Sequence, residues 1–244
     1  MRYTRKNSRQ VSYGEAVGIL LLDSPVPFIP GDVANATTYD YPVRFKKVEG
    51  FTVERALAKD ESVYPALLSA ALDLKENGVR AVTGDCGFMA LHQKRLKNEL
   101  DLPVCLSSLF QIPLIRHMLG DGQRIGVITA NARSLVPNFL EDIGIEPGED
   151  LVIGGLENSR EFRKSVLDEC GTLDSKEMER EVIEAARSLV EREKNVRAVL
   201  LECSVLPPYG KAVQDAVSLP VFDYVTLIDY MFSAVLKHNF HGFM

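Results

Sequence analysis

Val79-Arg80-Ala81-Val82-Thr83-Gly84-Asp85-Cys86 is met again, little altered, as Val196-Arg197-Ala198-Val199-Leu200-Leu201-Glu202-Cys203. Each copy reads Val-Arg-Ala-Val, two small or apolar residues, an acid and a cysteine. A Leu-Pro-Val follows each at the same distance, as Leu102-Pro103-Val104 and Leu219-Pro220-Val221. The shared spacing marks a repeated unit. A buried strand accounts for the valines and alanines, but it does not account for both copies ending in acid-cysteine. The repeat therefore predicts two similar halves, each presenting one thiol.

The rest of the chain fits that division. Val17-Gly18-Ile19-Leu20-Leu21-Leu22 is an apolar run of strand length, and Arg124-Ile125-Gly126-Val127-Ile128 resembles it where the order restarts. Further strands are predicted over 41–48, 104–106, 151–153 and 221–222. Helices are predicted over 64–76, 88–100, 110–119, 132–142, 158–169 and 175–193, after Pro207-Pro208, and over 227–237. Asn77-Gly78 and Gly171 supply stop signals. The segment 175–193 is the clearest amphipathic helix, with Val182, Ile183, Ala186, Leu189 and Val190 on one side. Continuous apolar strands alternating with helices indicate a parallel sheet covered on both faces. The expected fold is α/β: two pseudo-symmetric, doubly wound parallel-sheet lobes with the active site in the cleft between them. The lobes are expected over 1–119 and 120–224, with a C-terminal helix within 225–244 packing back on the first.

Composition bounds the function. The chain has 244 residues, 46% hydrophobic and 25% charged, with net charge −6. No basic run is available to neutralise phosphates, which argues against a nucleic-acid partner. The basic cluster Arg2, Arg5, Lys6 and Arg9 is not followed directly by an apolar segment, so no signal peptide is expected. No apolar run reaches the ~18–20 residues of a membrane span. The expectation is a cytoplasmic protein without a membrane partner. The four cysteines form no Cys-x-x-Cys pair and the histidines lack zinc-ligand spacing, so no metal is expected.

Ligands of such sheets bind at the carboxyl ends of strands. Asp23, Cys86, Thr129 and Cys203 all lie at expected strand ends. Cys86 and Cys203 also precede helix starts, where backbone N–H groups favour an anion and can lower a thiol pKa. Two such thiols flanking one cleft suit proton removal from one face of a carbon and proton return to the other. Cysteine is also a common small core residue, but the matched positions in a repeat weigh against that reading. Cys105 lies mid-strand with Phe222 as its counterpart and reads as core; Cys170 is given no role. Asp23, Ser24, Thr129 and Asn131 end equivalent first strands, and serve either a substrate carboxylate or turn formation. Ser204 either caps the next helix or presents N–H groups to an anion. Asp85 and Glu202 receive no firm role, since a carboxylate beside a thiol works against thiolate formation. The long loop 25–39 is of a length that is usually functional or mobile, and it is a candidate to close over the cleft and set its size.

These features resemble the aspartate/glutamate/hydantoin racemase superfamily over nearly the whole chain. In that superfamily two cysteines are the catalytic acid/bases, matched here by Cys86 and Cys203, and neither pyridoxal phosphate nor a metal is used. Leu22-Asp23-Ser24 is similar to the Phe-Asp-Ser of the glutamate racemase branch. Gly126-Val127-Ile128-Thr129-Ala130-Asn131 resembles the stretch opening the superfamily's second half. The resemblance implies a cofactor-independent racemase or epimerase of amino acids or hydantoins, with a small-molecule carboxylate as substrate. It places Asp23, Ser24, Gly87, Phe88, Thr129, Asn131 and Ser204 around that substrate. The oligomeric state is left open, although lobes of this kind often pair, which makes a homo-oligomer a candidate. Chemistry like that of maleate cis–trans isomerases or arylmalonate decarboxylases, or carboxylate binding without turnover, are the alternatives. Gly87-Phe88-Met89 replaces the Asn-Thr that usually follows the first cysteine, Glu202-Cys203-Ser204 replaces Gly-Cys-Thr, and Pro25 replaces a glycine.

Overall fold

Two four-stranded parallel sheets carry the repeat in a computed structural model that describes residues 2–4 and 10–244. Arg5, Lys6 and Arg9 of the basic cluster lie outside the described residues. The first sheet is formed by β1 (Val17–Leu21), β2 (Val43–Lys47), β3 (Ala81–Gly84) and β4 (Val104–Cys105), in the order β2-β1-β3-β4. The second is formed by β5 (Arg124–Thr129), β6 (Leu151–Gly155), β7 (Val196–Leu201) and β8 (Val221–Phe222), in the order β6-β5-β7-β8. The two orders are one topology used twice. In each, β1 or β5 sits centrally: Val17 is in register with Val43 on one side and Ala81 on the other, and Gly126 with Val152 and Val199.

Helices α1 (Val53–Leu57), α2 (Tyr64–Glu76), α3 (Gln93–Leu100) and α4 (Ile112–Met118) belong to the first lobe. The second has α5 (Pro137–Asp142), α6 (Arg160–Phe162), α7 (Ser175–Arg192) and α8 (Gly210–Val217), and α9 (Tyr224–Val235) ends the helices. Glycine lets a helix lie close on each central strand. A Cβ at Gly18 would stand 2.9 Å from Leu74 of α2, and one at Gly126 would stand 2.6 Å from Leu189 of α7. Pro65 in the first turn of α2 and Asp174 capping α7 fix their starts; Asp174 accepts from the N–H groups of Lys176 and Glu177. The amphipathic side of α7 buries Val182, Ala186 and Leu189, as its spacing predicts.

Several boundaries differ from the sequence reading. The segments expected as helices over 88–100 and 110–119 open as 3₁₀ turns, Gly87–His92 and Ser108–Gln111, before α3 and α4. Residues 132–136 are not helical, because Asn131 Oδ1 accepts from Arg133 N in a turn and Pro137 sets the start of α5. The segment 158–169 is the short α6 followed by a π-helical turn, Arg163–Leu167. The helix α1 was not foreseen. The final helix stops at Val235, and 236–244 is not helical; it lies on the surface with little to bury it.

The lobes share a core. Leu20, Val82 and Leu106 of the first cluster with Ile125, Val127 and Leu200 of the second. Tyr224 and Ile228 of α9 join Val17 and Ile19 behind the first sheet, so this helix crosses back to it. Among the described residues, no helix is long and apolar enough to cross a membrane.

Candidate active site

Order reverses in each sheet between its first and third strands, and a crevice opens there at the carboxyl ends. Cys86 follows β3 and Cys203 follows β7, so each lobe delivers its thiol to that point. The two crevices face one another and form one cavity of about 40 Å³. A water needs ~10–15 Å³ on this measure, so the cavity is narrow and suits a small ligand. Both cysteines are partly buried and both line it.

Cross-lobe hydrogen bonds hold the two thiol segments together. The hydroxyl of Ser204, next to Cys203, donates to the backbone carbonyl of Asp85, next to Cys86. Ser108 Oγ donates to the carbonyls of Glu202 (3.1 Å) and Leu201 (3.3 Å). Tyr224 Oη donates to Leu106 O at 2.9 Å. Each sulfur accepts a backbone N–H from two residues on, Phe88 for Cys86 and Val205 for Cys203. This is the N–H environment expected at a strand-to-turn junction, and it favours the thiolate. Other groups outweigh it. Burial first, then Glu202, push both thiols well above their ordinary range; Cys203 and Asp85 add to the shift at Cys86.

The acids before the cysteines are both in the site. Asp85 is buried and accepts from Leu22 N with both oxygens, at 3.0 and 3.2 Å. Glu202 is 1% exposed; its Oε2 accepts from Thr129 Oγ1 at 2.8 Å, and the Ala130 N–H also bonds its carboxylate. Its Oε1 is buried and has no hydrogen-bond partner among the described residues. Burial raises both carboxyls to about 7, against the N–H and O–H donors that would lower them. Asp32, from the long loop, is also buried and raised, and its charge is felt at Cys203. Among the described residues lining the cavity there is no Lys, Arg or His.

Ser24, Gly87, Phe88 and Ser204 line the cavity with the two cysteines. Ser24 donates to Glu169 Oε1 at 2.6 Å, a bond from the first lobe to the second across the mouth. Three expected substrate residues stand elsewhere. Asp23 faces outward, where Lys47 Nζ and Gly50 N donate to it at 3.1 Å. Thr129 is fully buried behind Glu202 and reaches the cavity only through it. Asn131 lies in a separate surface hollow with Arg133 and Glu157. Cys105 packs beside α9 and its thiol is pushed up to about 12 by burial; Cys170 is exposed.

Of the apolar wall, only the long loop was a candidate in the sequence. Val26 and Phe28 come from the long loop, which is packed rather than free: Val33 N donates to Ser204 O at 3.4 Å, and a Cβ at Gly31 would meet Pro208 Cα at 2.9 Å. Val53 and Leu57 come from α1, and Val166 and Leu167 from the π-helical turn opposite. A π turn beside a cleft is a frequent companion of a functional site. Its only trace in the sequence was the apolar pair Val166-Leu167 within a polar helix.

No protein-family model matches the chain. Known proteins do. Dimethylsulfoniopropionate lyase 3 of Emiliania huxleyi is 31% identical over 237 residues, covering 93% of this chain and 61% of that protein. The chain thus spans about three fifths of that relative's length. Lyase 7 of the same organism is 30% identical over 236 residues, covering 93% of this chain and 69% of that protein. The chain belongs to the dimethylsulfoniopropionate lyase family. A lyase of the same name from Durusdinium is 28% identical, covering 88% of this chain and 73% of that protein. Among solved structures, arylmalonate decarboxylase superposes with a TM-score of 0.58 at 14% identity, covering 92% of this chain and 93% of that one. An aspartate racemase homologue from Pyrococcus horikoshii gives 0.53 at 17% identity, covering 91% and 99%. The fold of this lyase-family chain is that of the aspartate/glutamate racemase superfamily.

Proposed function

We propose that the chain is a lyase that removes a proton from the carbon next to a carboxylate and expels a neutral sulfide from the next carbon. The observation that carries this reading is that both repeat-related thiols line one small cavity. The family supplies the substrate class, a β-sulfonium carboxylate such as dimethylsulfoniopropionate. One thiolate takes the α-proton, so a C–H bond breaks and an S–H bond forms. The freed electron pair becomes the Cα–Cβ double bond. The Cβ–S bond breaks, and its electron pair leaves with dimethyl sulfide. Acrylate is the other product; the α-proton leaves the thiol in its resting protonated form, and the proton released when the thiolate formed is the one that goes to solvent.

The electrostatics support a cationic substrate. In the free site both thiols are raised, and an added carboxylate alone would raise them further. A sulfonium beside them has the opposite effect. Ser24, whose hydroxyl donates to Glu169 in the free protein, can turn to the substrate carboxylate. The long-loop, α1 and π-turn side chains exclude water around the reacting carbons.

The test is headspace detection of dimethyl sulfide from dimethylsulfoniopropionate with purified protein. No release above background, with acrylate also absent, overturns the lyase reading. The paired thiols also favour a second reading, racemisation of an α-amino acid with one cysteine on each face. Loss of optical rotation and α-deuterium uptake in D₂O without sulfide release would select it.

A further inference from the structure

We infer that Glu202 Oε1 is the subsite for the positively charged onium group of the substrate, which makes Glu202 a specificity-determining residue. The inference rests on the lyase reading for its substrate class and on separate geometry for its site. Glu202 follows β7 of the second lobe but reaches across to the Cys86 segment of the first. A Cβ built on Gly87 would overlap Oε1 and lie 3.2 Å from Cγ, so the carboxylate lies directly against the residue after Cys86. Thr129 Oγ1 donates to Oε2 and the Ala130 N–H bonds the carboxylate, which restricts the side chain. The remaining oxygen is buried and unpartnered, on a residue that lines the cavity.

A buried polar oxygen without a partner is uncommon and calls for an explanation. A sulfonium has no N–H to donate, so it gives a carboxylate charge and polarised methyl contacts only. The cavity that Glu202 lines fits such a group: Cys86, Cys203, Phe88 and Val205 line it too, with no competing cation among the described residues. Asp85 is the other acid at hand, but both its oxygens already accept from Leu22 N.

Two isosteric probes separate charge from shape: 3-(trimethylammonio)propionate, which is cationic at the branched end, and 4,4-dimethylpentanoate, which is neutral there. Their dissociation constants are measured by calorimetry on wild type, Glu202→Gln and Glu202→Asp. Wild type is expected to prefer the cationic probe at least 10-fold. Glu202→Gln is expected to bring the two within 3-fold, and Glu202→Asp to keep part of the preference. Equal binding by wild type, binding of neither probe, or an unchanged preference in Glu202→Gln overturns the inference. If Glu202→Gln does not fold, the wild-type ratio and Glu202→Asp still decide. The calorimetry needs no turnover, so a cationic preference with no dimethyl sulfide release keeps the subsite and removes the lyase. Sulfide release without that preference does the reverse.

Discussion

Replacing Gly87 by alanine tests the contact on which the site's geometry turns. Gly87 is not among the residues with left-handed φ, so its backbone conformation does not require glycine. The requirement comes from Glu202, whose Oε1 occupies the place of the missing Cβ. The carboxylate has no easy retreat, since Thr129 holds its other oxygen, the Ala130 N–H also bonds it, and the residue is buried. Overpacking a tight interior costs about 1–3 kcal/mol, and losing a hydrogen bond to a charged group about 1.5–3 kcal/mol. Gly87→Ala should therefore destabilise by about 3–5 kcal/mol. At roughly 2–4 °C per kcal/mol for a chain of this size, the melting point falls by about 6–20 °C. Calorimetric or circular-dichroism melts measure it. In a Glu202→Ala background the obstructing carboxylate is gone, and the same substitution should cost under about 1 kcal/mol. The coupling between the two sites is then about 2 kcal/mol or more. Gly120→Ala is the control: its Cβ meets Gln123 at 3.6 Å, an ordinary contact, and the expected change is within about 0.5 kcal/mol. An equal cost for Gly87→Ala in both backgrounds refutes the placement of Glu202.

Elimination needs one base, because the sulfide leaves neutral, whereas racemisation needs two groups. Of Cys86→Ala and Cys203→Ala, one should lower dimethyl sulfide release by about 10²–10⁴-fold while the other keeps more than a tenth of the rate; two equal losses point to racemase-type chemistry. Glu202 sits at about 7 in the fold against 4.5 in the unfolded chain, so between these values the folded protein holds the extra proton and stability falls as pH rises. At 1.36 kcal/mol per pKa unit the loss is about 3 kcal/mol, full above about pH 7. Asp85, raised from 3.8 to about 7, contributes in the same direction. Urea unfolding at pH 4 and pH 8 should show wild type losing about 3 kcal/mol more than Glu202→Gln across the interval; parallel losses refute the shift. Ser204→Ala strips the Asp85 carbonyl of its cross-lobe donor and should destabilise by about 1–3 kcal/mol, read from the same melts.

Periodicity and repetition made the fold legible. The apolar runs at Val17 and Arg124 are the central strands, and the two Val-Arg-Ala-Val copies are the strands beside them, each ending at a thiol. What the sequence hid depends on direction and on short elements. The helix α1 is five residues long, too short to show a period, yet it walls the cavity with Val53 and Leu57. Asp23 and Asn131 end the right strands, but their side chains turn to Lys47 and to Arg133 N. Thr129 serves the site through Glu202 rather than by touching the cavity. Glu202 itself was visible as a departure from Gly-Cys-Thr, but the sequence gives no means of knowing that it points at Gly87. The lyase reading was out of reach for a related reason: two thiols announce proton transfer, and only the group beyond the α-carbon decides whether elimination follows.

That group also bears on how the thiols are kept at rest. Burial, Glu202 and Asp85 favour the protonated thiol at both Cys86 and Cys203 in the free protein, and Cys203 adds to the shift at Cys86. A protonated thiol resists oxidation, since susceptibility follows thiolate character and exposure. An onium ion entering the cavity would offset the charge of the nearby acids, next to the α-carbon whose proton must move. On the lyase reading the substrate thus switches on its own base. When the neutral sulfide departs, the positive charge goes with the bond that held it, and the thiols return to their protonated state. On that reading a substrate lacking the cation would leave the base unformed, and the acids that look hostile to a thiolate would act as a filter for the substrate's charge.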